Sequence, residues 1–113
     1  MKTRVLITAI ILGLALPVAA QFRTIAEAYE VRLSDLRLPQ NKNGSVSYRL
    51  CDDCAYSTKQ LSRDAQWILD GQTLPFAKFR RAVMPITDRD AAAVTVLHHL
   101  EQDRVIRVQV TTN

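Results

Sequence analysis

The sequence predicts an α+β domain: a small, mainly antiparallel β-sheet in the order β-β-β-β-α-β-β, with one helix packed on a face. Two observations carry this reading. Short apolar/polar alternations recur between Tyr29 and Thr111, the period of strands with one buried face. Polar, turn-forming clusters separate them, and the clearest helical spacing lies in Thr73 to Val83.

Residues 1–20 read as a cleaved signal peptide and 21–113 as a single small domain. Lys2 and Arg4 precede the apolar run Val5 to Leu16, and Pro17 precedes Val18-Ala19-Ala20. Small residues thus occupy the positions that a signal peptidase reads, which places cleavage after Ala20. The run is short for a bilayer span, so no stable membrane anchor is expected after cleavage. The expected location is periplasmic or secreted. Losing Lys2 and Arg4 takes the basic count from 15 to 13 against 11 acidic residues, and the formal charge from +4 to +2. That balance gives no argument for nucleic acid as a partner.

Gln21 to Ala28 is ambiguous, with Thr24 and Glu27 at capping-box spacing. Tyr29, Val31 and Leu33 then alternate with Glu30 and Arg32, slip phase at Ser34-Asp35, and resume at Leu36 and Leu38. The slip predicts a bulge inside one strand, ended by Pro39 and the loop 40–44. Val46, Tyr48 and Leu50 alternate with Ser47 and Arg49, and Ala55 to Leu61 reads as a returning strand. Cys51-Asp52-Asp53-Cys54 lies between them as a hairpin tip. A turn at Ser62 to Asp64 precedes a short buried strand holding Trp67, which Asp70-Gly71 breaks.

The helix is expected from Thr73, with Pro75 in its first turn and Phe76, Phe79 and Val83 on one face. Met84-Pro85 stops it. Residues 87–100 are open between helix and strand, with Thr87 and Asp90 at capping-box spacing against the β-branched Val94-Thr95-Val96, while 93–111 is expected to form a hairpin turning at Glu101 to Arg104. Ile106, Val108 and Val110 make the apolar side of its second strand.

Four chemistries suit a Cys-x-x-Cys. Haem attachment requires His directly after the second cysteine, where Ala55 stands. A redox dithiol belongs at a helix N-terminus, yet the flanks here read as strands, and Asp52 and Asp53 disfavour a thiolate. Zinc needs two further ligands, for which His98 and His99 are the candidates; on a strand, adjacent side chains point to opposite faces. A disulfide between Cys51 and Cys54 fits an exported chain with an even cysteine count. Closing so small a loop stabilises by only about 2 kcal/mol.

No Ser-His-Asp or phosphate-cradling motif is present, and no metal or cofactor is expected. His98, in phase with Val94 and Val96, reads as a core-edge histidine. Lys78, Arg80 and Arg81, with Arg89 nearby, form the densest basic cluster. It is either a solvated helix face or a contact for an acidic protein or an anionic envelope surface. The functional expectation is therefore a small exported non-catalytic binding module of unknown specificity. The alternative is a thiol-redox or metal-binding envelope protein using Cys51 and Cys54. Intact-mass measurement on exported protein should give a chain beginning at Gln21; a soluble species retaining Met1 to Ala20 would remove the signal-peptide reading.

Overall fold

The computed structural model describes residues 24–112. The expected signal peptide and the cleavage point before Gln21 lie outside the described residues. Along them run β1 (Ala26–Arg32), β2 (Leu36–Arg37), β3 (Ser45–Tyr48), β4 (Ser57–Leu69), β5 (Gln72–Leu74), α1 (Phe76–Val83), β6 (Ala93–His99) and β7 (Arg104–Thr111). The α+β class holds, with one helix against a sheet. The finer order is corrected to β-β-β-β-β-α-β-β, and the sheet is mixed. Its spatial order is β1-β6-β7-β4-β3-β2, with β5 paired on β4. β4 and β7 run parallel, and every other pair is antiparallel.

The local corrections each have a cause in the chain. The phase slip at Ser34-Asp35 is a single 3-10 turn, Leu33–Asp35, rather than a bulge. It bends the chain from the partner of β6 to the partner of β3. Ser62 to Asp64 does not turn the chain back. Leu61 pairs with Val105 and Gln66 with Arg107, so the intervening residues bulge out of one 13-residue strand. Asp70-Gly71 is a two-residue hairpin turn, both residues at positive φ (49° and 85°), the conformation that Asp-Gly favours between paired strands. Thr73 therefore belongs to β5, and α1 begins at Phe76 without a side-chain cap. In β7, Ile106 has no partner on β6, because Leu97 faces Arg107 and His98 faces Val105. This bulge puts Val105, not Ile106, on the buried side with Val108 and Val110. Leu50 lies beyond the end of β3 and is 59% exposed.

The sheet curls until its ends meet. Tyr29 on β1 and Tyr48 on β3 have ring centroids 5.6 Å apart, whereas four strand spacings in a flat sheet span about 19 Å. Counting the kinked β1/β2 as one strand, β6, β1/β2, β3 and β4 lie side by side as a Greek key. With β7 they form a five-stranded, partly open barrel, the arrangement of OB-type domains. Its core is aliphatic towards the strands, with Val31, Leu33, Val46, Val94, Val96, Val105, Val108 and Val110 buried, and continues into the aromatic Tyr48, Trp67, Phe76 and Phe79.

An eight-residue helix is marginal by itself, so α1 depends on what it buries. Phe76, Phe79 and Val83 are its buried residues. Trp67 of β4 meets Phe76 at 4.6 Å and Phe79 at 5.2 Å between ring centroids. At the other end Arg89 donates from Nη1 to the carbonyls of Val83 and Ile86, at 3.3 and 3.4 Å, bracing the turn in which Ile86 N–H also bonds the Val83 carbonyl at 3.1 Å. Phe79 is 0% exposed. Phe79→Ala should lower stability in urea denaturation by about 3 kcal/mol or more; a loss under about 1 kcal/mol would contradict its place in the core.

Candidate functional site

The loop 38–44 is shaped by its own short bonds. Asn43 N–H donates to Asn41 Oδ1 (2.9 Å) and Gly44 N–H to the Asn41 carbonyl (3.1 Å). A Cβ on Gly44 would lie 2.8 Å from the Pro39 Cβ, so only glycine lets the loop close this tightly. Arg80 Nε donates to the Pro39 carbonyl (3.2 Å) and ties the loop to α1. Between them lies an open groove of about 530 Å³, lined by Gln40, Asn41, Lys42, Pro75, Phe76, Ala77, Arg80 and Arg81. A second depression of about 260 Å³ adjoins it, sharing Lys42, Pro75 and Phe76 and adding Arg63 on the β4 bulge. No carboxylate lines either one.

The Cys-Asp-Asp-Cys tip is at the other end of β4. Cys51 and Cys54 are joined by a disulfide, with Cα atoms 5.0 Å apart, and Cys54 N–H closes the turn on the Cys51 carbonyl at 3.1 Å. The tip is braced from below. Asp35, 3% exposed, accepts from Arg49 Nε (2.8 Å) and from Arg32 Nε and Nη2 (3.1 and 3.0 Å). The same arginines reach the tip: Arg49 Nη1 donates to the Asp52 carbonyl (2.9 Å), and Arg32 Nη2 pairs with the Asp52 carboxylate. The Arg49 bond, aided by Arg32 and opposed by burial, holds the Asp35 carboxyl below its usual range.

A third polar group lies where β6 turns into β7. His98, 6% exposed, has its Nε2 2.8 Å from Asp103 Oδ1, which also accepts from Lys59 Nζ at 3.4 Å. These bonds, His98 first, hold the Asp103 carboxyl below its usual range. Burial pushes the nearby Tyr48 phenol up, helped by the Asp103 and Glu27 charges. His98 is satisfied and inaccessible, which fits a core-edge role. His99 faces the other way, its Nδ1 accepting from Gln102 N–H at 3.2 Å. The structure thus separates the two histidines from each other and from the cysteines.

The basic cluster divides as well. Arg80 and Arg81 line the groove, Lys78 stands outside it, and Arg89 serves the C-terminal end of α1. Lys42 and Arg63 join Arg80 and Arg81 in space but are scattered in sequence. Loop 40–44 offered only one lysine among turn residues, and Arg63 was one residue of an expected turn. Asp35 had a visible signal, the phase slip. No family model, no curated protein and no solved structure matches the chain, so the site is read from its residues.

The depressed carboxyls carry a sign for acid stability. A group whose pKa is lower folded than unfolded stabilises the fold above its unfolded value, about 3.9 for Asp, and that contribution is lost as pH falls through the folded value. Asp35, Asp70 and Asp103 are all lowered. Melting temperature should therefore fall below about pH 4. Asp35→Asn should melt lower at neutral pH and lose less on acidification; an acid profile parallel to the parent would exclude Asp35 as a source of that sensitivity.

Proposed function

We propose that the protein is a small exported, non-catalytic binding module that holds an anionic partner in the groove between loop 38–44 and α1. The observation that carries this reading is a concave site with cations on both walls and no carboxylate among its lining residues. Lys42 has no ion-pair or hydrogen-bond partner among the described residues. Arg80 and Arg81 each use Nε on a backbone carbonyl, at 3.2 and 3.4 Å, which leaves their outer nitrogens to solvent. Clustered like charges with no counter-ion raise the local potential, and concave walls focus it. The apolar run before Ala20 and the disulfide support export into an oxidising compartment.

Fold analogy alone does not supply this function. OB-type barrels bind oligonucleotides and oligosaccharides on their second and third strands, here β3 and the first half of β4. That outer face carries the hydroxyl pair Ser47–Thr58, 2.8 Å apart. The Tyr56 ring beside it is already covered by the Arg37 guanidinium, 3.9 Å from its centroid. A nucleobase needs a free aromatic face on which to stack, so the basic groove is the better candidate.

Fluorescence anisotropy with labelled dextran sulfate tests the reading. Binding should weaken steeply between about 50 and 500 mM salt, because exposed charges are screened over a Debye length of roughly 8 Å or less. Lys42→Glu with Arg81→Glu should reduce affinity about tenfold or more with unchanged melting, and Lys78→Glu should reduce it less. Equal affinity of the double variant and the parent would eliminate the groove as the binding site.

A further inference from the structure

Resting on that reading of the groove, we infer that its ligand is a linear acidic oligosaccharide, which runs from the α1 groove across Pro75 and Phe76 into the depression beneath Arg63. Three features of the lining select this class over other polyanions.

The first is continuity. The two depressions share Lys42, Pro75 and Phe76, so they form one trough with a waist. Cations stand along both parts: Arg80 and Arg81 in the first, Lys42 at the waist and Arg63 in the second. A single phosphate or carboxylate fills only one part. A chain bearing repeated charges reaches both, and linked contacts multiply its affinity.

The second is the neutral lining. Gln40 and Asn41 face the first part, and Ser62 and Thr73 the second. Asn41 Oδ1 is occupied by Asn43 N–H, which leaves its NH2 to donate outward. Ser62 Oγ accepts from Asp64 N–H at 3.3 Å, so Gln40 and Thr73 are the groups that keep both a donor and an acceptor, the complement of sugar hydroxyls and ring oxygens. A sulfate or phosphate group accepts only and has no use for their acceptor atoms.

The third is what the trough withholds. Its aromatic residues are sunk into the core, Trp67 being 4% and Phe76 9% exposed, and their faces are spent on each other and on Phe79. Nothing remains on which to stack a base, so single-stranded nucleic acid is disfavoured. The concavity disfavours a membrane: a planar anionic surface meets convex, protruding cations, whereas these line a depression.

Calorimetric titration with a hexamer of galacturonic acid is the test, with the galacturonate monomer, the fully methyl-esterified hexamer, an oligothymidylate and phosphatidylglycerol vesicles as comparison ligands. The acidic hexamer should bind about a hundredfold more tightly than the monomer, and the neutral ester should not bind. Arg63→Glu, on an exposed bulge, should melt like the parent and weaken hexamer binding about tenfold. Oligothymidylate or vesicles binding as tightly as the hexamer would overturn the inference, as would identical hexamer affinity of Arg63→Glu and the parent. Dextran sulfate separates the two levels. If it still depends on Lys42 and Arg81 while the hexamer fails, the ligand class falls and the groove stands. If that dependence is also missing, both fall.

Discussion

The fold turns on one buried carboxylate. Asp35 sits in the 3-10 turn that carries the first strand from one end of the sheet to the other, and it is the only acidic side chain buried among the described residues. Two guanidinium groups converge on it, Arg32 from the β1 side and Arg49 from the end of β3. Backbone joins in, with Arg49 N–H on the Asp35 carbonyl at 3.1 Å and Leu33 N–H on the Ala92 carbonyl at 3.0 Å. A buried ion pair contributes modestly to stability, because desolvation offsets the attraction. Its geometry matters more here. It sets where the barrel seam lies, and through Asp52 it sets the angle at which the disulfide tip leaves the sheet.

From that seam the molecule divides into two chemically different ends. The loops 49–56 and 100–103 share one end, since Tyr48 pairs with Ser57 and Gln60 with Arg104. They hold Asp52, Asp53, Glu101 and Asp103 against the single cation Arg49. Loop 38–44, the β4 bulge and α1 bring Lys42, Arg63, Arg80 and Arg81 to a trough that no acid lines, Asp64 on the bulge being the one carboxylate beside it in sequence. The small net charge therefore conceals a local separation of charge, and the separation bears on recognition more than the sum does.

How much of this was legible depended on whether a signal was local. The disulfide hairpin, the apolar face of α1, the burial of Trp67 and the pairing of β6 with β7 follow from spacing and turn chemistry within a few residues. Asp70-Gly71 was equally local, and its hairpin meaning was available beside Leu69 and Gln72. The parallel pairing of β4 with β7 and the closure by Tyr29 and Tyr48 have no short-range signature; periodicity tells which face of a strand is buried and not which strand lies beside it. The bulges at 62–65 and at Ile106 were missed because alternation alone cannot show where an extra residue is inserted. Lys42 and Arg63 were missed for a related reason, since a site assembled from a loop, a bulge and a helix leaves no spacing to read.

The pairing of β1 with β6 governs how this chain comes to be folded. Ala26 lies opposite His99 and Arg32 opposite Ala93, so the first strand finds its partner only after nearly the whole domain exists. β4 waits in the same way for β7. Contacts this distant in sequence make for slow folding, because the loop must close before any pairing stabilises it. Until then, β1 and the β7 side of β4 are bare strand edges with apolar faces, the species most prone to join another chain. Within residues 36–74, β2 to β5 pair among themselves, and β1 is left without its partner. Those edges stay exposed to association until β6 and β7 have paired with them.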